Sequence, residues 1–166
     1  MTLSDIQSLY AFDRWATLRT LESVAALTPE QYQKDLATSF GGVHGTLVHV
    51  LSADRVWLGR WLGTTVAPLK PEEIPTIEVL KKHWDTHFLE LDNFIRTLTE
   101  DALSASCSYT DFRGNPSAQP LGQQLQHKVN HSTYHRGQVA AMLRQLGAKA
   151  QGTDLITFYR QQEQHG

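Results

Sequence analysis

Apolar residues recur along this chain at the three-to-four-residue spacing of amphipathic helices and rarely in strict alternation. A first helix is predicted over residues 4–26, with Ile6, Leu9, Tyr10, Thr17, Leu21 and Val24 on one face. Ser4 and Gln7 are placed to form a capping box at its start, and Pro29 follows its end. Asp13 shares the apolar face, as either a buried polar partner or a site residue. A second helix is predicted over 43–62, opened by the glycine-bearing stretch 39–42. Its main stripe is Val43, Leu47, Val50, Leu51, Trp57, Leu58 and Trp61, and a weaker stripe of His49, Ala53 and Val56 runs along the other side. Apolar most of the way round, it suits burial within a bundle or against a second subunit. Residues 63–75 carry three prolines and read as a crossover loop.

A third helix is expected from Thr76 as N-cap to about Leu98, with Val79, Leu80, Trp84, Phe88, Leu91 and Ile95 on one face and Glu78 in the first turn. Residues 104–120 lack helical periodicity and read as a loop or short hairpin turning at Gly114 and Asn115. The fourth helix, 121–146, has Leu121, Leu125, Val129, Val139 and Leu143 as its stripe and Gly147 as its C′ residue. A last short helix spans 154–162. The fold class is therefore all-α: an up-down-down-up-type four-helix bundle with a crossover loop and a short C-terminal helix.

Leu outnumbers Val and Ile together, 21 to 14, which favours helices over sheet. The 166 residues point to one domain spanning 1–166. A net charge of −2 gives no basic footprint for nucleic acid, and no apolar run reaches the length of a membrane span. Cys107 is the only cysteine, so no internal disulfide forms and a cytoplasmic setting is expected.

Eight histidines carry the chemistry. His131 and His135 stand four apart within the fourth helix, projecting from one face at a spacing that can hold one metal ion. At about 100° per residue, His135 lies nearest the apolar stripe, then His131, with His127 farthest, at the boundary. A second such pair, His83 and His87, lies beside Asp85 and Glu90, is read as off the apolar face of the third helix, and is assigned to the surface. Residue 132 is Ser, so no glutamate follows His131 and the metalloprotease motif is absent.

The run Asn130-His131-Ser132-Thr133-Tyr134-His135-Arg136-Gly137-Gln138 resembles the signature of the DinB family of metalloenzymes. The resemblance continues through Phe12-Asp13-Arg14-Trp15-Ala16, Gly45-Thr46-Leu47-Val48-His49, Ala53-Asp54-Arg55-Val56-Trp57-Leu58 and Leu143-Arg144-Gln145-Leu146-Gly147. It closes with Thr153-Asp154-Leu155-Ile156, in family order over nearly the whole chain. It implies a DinB/YfiT-like bundle, commonly a homodimer, holding one divalent ion (zinc, nickel or iron) through His49, His131 and His135. The choice of His49 over His44 comes from the resemblance alone, since His49 lies on the weaker stripe. His44, His83, His87, His127 and His165 are left as surface or boundary residues.

Three imidazoles leave a coordination position open, the arrangement of catalytic metal sites. Similarity to thiol-dependent relatives implies a low-molecular-weight thiol as substrate, activated as a metal-bound thiolate. Asp13 and Asp54 are the carboxylates to weigh, as bases or as structural partners between helices. Arg136, on the apolar stripe, needs one of them as a buried partner. Gln138 and Asn130 are candidates to orient a ligand imidazole. Trp15, Trp57 and Trp61 read as core or interface fillers, Tyr134 as a residue at the site or its rim, and Cys107 as non-catalytic. Two functions stand: a metal-dependent transferase or hydrolase, and a non-catalytic metal-binding stress-response protein.

Overall fold

A computed structural model describes residues 1–164, so His165 lies outside the described residues. The long helices are α1 (Leu3–Val24), α3 (Val43–Trp61), α4 (Ile77–Arg96) and α6 (Leu121–Gln145). Short helices α2 (Pro29–Gln33), α5 (Glu100–Ser104) and α7 (Leu155–Glu163) flank them, and a 3-10 turn (Pro71–Glu73) interrupts the crossover loop. Strands β1 (Ser106–Thr110) and β2 (Pro116–Pro120) pair antiparallel, with Ser106 opposite Pro120 and Thr110 opposite Pro116. This is the short hairpin, turning at Gly114 with φ +84°, where Asp111 accepts hydrogen bonds from the Arg113 and Asn115 amides. No helix of the described residues is long and apolar enough to cross a membrane.

Cross-helix contacts give the directions. Tyr10 meets Leu125 and Thr17 meets Arg136, so α1 and α6 run parallel. His49 meets His131 while Trp61 meets Gln124, so α3 and α6 are antiparallel. His87 faces Asp54 and Phe94 stacks on Trp61, making α3 and α4 parallel. The bundle is up-down-down-up, as the sequence predicts.

One helix end differs from the sequence expectation. The α1 capping box uses Thr2 and Asp5 rather than Ser4 and Gln7: the Asp5 amide donates to Thr2 Oγ1 and the Thr2 amide to Asp5 Oδ2, at 3.2 and 2.8 Å. A charged acceptor in the first turn answers the helix dipole better than an amide does. The predicted Thr76 cap and Gly147, at φ +78°, hold their expected places.

The apolar core divides into two clusters. One gathers Leu21, Val24, Val43, Leu47, Leu51, Leu80, Trp84, Val139 and Leu143; the other Ile6, Tyr10, Phe12, Leu58, Leu91, Ile95, Leu125, Val129 and Phe158. Each long helix contributes to both, and between them on every helix sits buried polarity: Asp13 and Thr17, Asp54, His87, and Lys128, Ser132 and Arg136. Trp15 packs on Phe12 and Phe158, and Trp57 and Trp61 bridge the hairpin and α4 through Tyr109 and Phe94.

Candidate metal centre

His131 and His135 leave α6 on the face turned to α3, and His49 meets them from the antiparallel helix. His131 Nε2 lies 3.2 Å from His49 Nε2 and 3.1 Å from His135 Nε2. One ligand atom from each of the three falls within 4.8 Å of the others, the only such group of His, Cys, Asp or Glu among the described residues. Metal–imidazole bonds of about 2.0–2.1 Å at tetrahedral angles set nitrogens about 3.3 Å apart. Two of the three separations match this closely. Three nitrogens aimed at one point cannot all satisfy one another by hydrogen bonding, because a neutral imidazole has a single N–H. The donor set fits a cation better than it fits itself.

The surroundings fix the rings. His135 Nδ1 lies 2.7 Å from Gln138 Oε1, and an amide oxygen can only accept. The proton is therefore on Nδ1 and the Nε2 lone pair is directed at the site, the orientation expected of Gln138. Asn130 does not share that role: it is exposed and lines a different cavity, with Leu9 and Phe12. Phe40 stacks on His49 at a centroid distance of 3.9 Å and meets His135 edge-on. Gly45 makes this possible, since a Cβ there would overlap the Phe40 carbonyl. Tyr134 sits at the rim, largely exposed, with its ring against His135.

Burial, and then the neighbouring His135, hold His49 down at about 4. Burial first, then His135, His49 and His127, hold His131 at about 4. Both rings are therefore neutral at physiological pH, the form a metal requires.

Behind the site lies the buried charge layer. Lys128 Nζ is 2.5 Å from both Asp13 Oδ2 and Asp54 Oδ2, and Arg136 donates to Asp13 Oδ1 at 2.5 Å and to Thr17 and Thr133 hydroxyls. Burial opposes ionisation of Asp13, but Lys128 and Arg136 outweigh it and its pKa is lowered. Burial pushes Asp54 up to about 7, against Lys128 and with Asp13 adding to the rise. For Lys128, burial is outweighed by the two carboxylates and the pKa is raised. Asp54 also accepts from Ser132, next to His131, at 3.3 Å. Both aspartates are thus structural partners of cations, and Arg136 has the Asp13 partner its position demands.

Lys128 was missed by sequence reading although Leu121, Leu125, Lys128, Ser132, His135 and Val139 form one continuous helical stripe. His87 is a second correction: it is 1% exposed rather than a surface residue. It stands three after Trp84 and four before Leu91, inside the buried arc of α4. His44 is half-buried and bonded to the Ile74 carbonyl at 2.8 Å, far from a ligand role, whereas exposed His127 rests edge-on against Trp57.

A family model described as the DinB family matches residues 2–166. The chain is 26% identical over 156 residues to Protein DinB of Bacillus subtilis strain 168, with 88% of each chain covered. Its fold is similar to the crystal structure of a DinB-like protein from Bacillus cereus: TM-score 0.70, 19% identity, 91% of this chain and 97% of that one.

Proposed function

This chain belongs to the DinB family, and we propose that it binds one divalent metal ion through His49, His131 and His135 and works as a thiol-dependent transferase or hydrolase. The observation that carries the metal-binding reading is the convergence of three Nε2 atoms, with Nδ1 of His135 committed to Gln138. An all-imidazole set suits zinc, nickel or iron. When bound, such an ion supplies a nucleophile near neutral pH by lowering the pKa of water or a thiol at its open position. The chain's own residues hold and shield: Gln138 sets one ring, and Phe40 covers His49 and excludes water from that side. A low-molecular-weight thiol is the proposed co-substrate, a homodimer in the cytoplasm the proposed working form.

One observation favours the second reading, a non-catalytic metal-binding stress-response protein. No carboxylate joins the three imidazoles among the described residues, and Asp13 and Asp54 are engaged with Lys128. The site therefore lacks a built-in carboxylate base. Untagged protein purified without chelators should carry about one divalent ion per chain, and His131→Ala should carry none; absence of metal from the unaltered protein would sink both readings. Turnover of electrophiles across a panel of thiols, lost in His131→Ala, supports the enzyme. A flat panel with the metal in place favours the binding protein.

A further inference from the structure

One histidine pair is left over by the metal centre. His83 and His87 find no third converging ligand among the described residues. Instead they line a separate cavity of about 280 Å³ on the α3–α4 side, together with Arg55, Lys82, Thr86 and Glu90. None of these residues belongs to the three-histidine centre. His87 is the cavity's buried floor, and neither of its ring nitrogens has a hydrogen-bond partner. Its nearest acid, Asp54, stands 3.8 Å from Nε2, beyond hydrogen-bond reach, and is already paired with Lys128. A buried ring left so is costly unless something in the adjoining space completes it.

The mouth of the cavity says what that partner is. Arg55 and Lys82 have no ion pair among the described residues, and Glu90 is the single carboxylate set against them. The Thr86 hydroxyl is engaged with the Lys82 carbonyl and only walls the space. We propose that this cavity binds a compact oxyanion, a phosphate group in preference to a carboxylate, between Arg55, Lys82 and the N–H of His87. The guanidinium fork suits two oxygens together, Lys82 supplies a point charge, and the buried imidazole beneath them has an N–H that no other group engages. Two cations against one carboxylate select a doubly charged group over a singly charged one.

Calorimetric titration of inorganic phosphate, and separately of acetate, into the metal-loaded protein tests this. Phosphate should bind saturably, and more tightly than acetate. Arg55→Gln should weaken it by at least about tenfold, the worth of one hydrogen bond to a charged group, with metal content unchanged. His87→Leu should weaken it too, and His87→Gln, which keeps an N–H, should recover part of the loss. No saturable binding overturns the proposal, as does acetate binding the more tightly. Phosphate binding that survives Arg55→Gln but is lost in His131→Ala also overturns it, because the anion then sits at the metal centre.

Discussion

Gln138 controls a proton rather than a contact. By accepting from His135 Nδ1 it decides which nitrogen faces the centre, so Gln138→Leu should weaken metal binding by about 10–100-fold without unfolding α6, read by competition with a chromophoric chelator. His87 yields a pH prediction. Burial, then Lys128 and Arg55, hold its pKa near 3, whereas the unfolded chain takes up a proton near 6.5. The unfolded state thus binds the extra proton across that interval, and stability falls as pH drops below about 6.5, by up to about 1.4 kcal/mol per pH unit for the one group. Urea midpoints measured from pH 7 to 4 should fall less steeply in His87→Leu than in the unaltered protein; equal slopes would contradict the assignment.

At the scale of helices, the polar layer between the two apolar clusters ties α1, α3 and α6 to one another through a single ammonium. Lys128→Met leaves two buried carboxylates facing each other with only Arg136 on one of them, and should cost about 3–5 kcal/mol in urea unfolding. The four long helices are legible because apolar residues recur at three-to-four-residue spacing, most sharply in α4, between stretches broken by proline and glycine, and His131 and His135 because a four-residue spacing needs no tertiary knowledge. His49 was legible only through family likeness, since α3 is buried nearly all round and its apolar stripe cannot say which side meets α6. Lys128 is passed over and His87 is placed off the apolar face because it sits among Asp85 and Glu90, although both stand in register with the leucines of their helices. The Thr2 cap escaped notice because Ser4 offers a competing start two residues later.

For the molecule as a whole, an ion at the centre would link α3 to α6. Chelator-treated protein should therefore melt lower than the metal-loaded form, by about 2.7 kcal/mol of stability where free metal exceeds its dissociation constant a hundredfold, and His131→Ala should melt identically with and without chelator. A calorimetric scan of the four samples checks both. The same link has a consequence in time. His49 and His131 are 82 residues apart, with the proline-bearing crossover, α4 and the hairpin between them, whereas His131 and His135 are one turn apart on a helix that forms locally. A nascent or refolding chain offers two nitrogens early and the third only after that long loop has closed, the slow, entropically costly step of such a topology. Full-strength metal capture is then a marker of completed assembly, arriving last, and metal uptake followed by stopped flow should lag behind the appearance of helix.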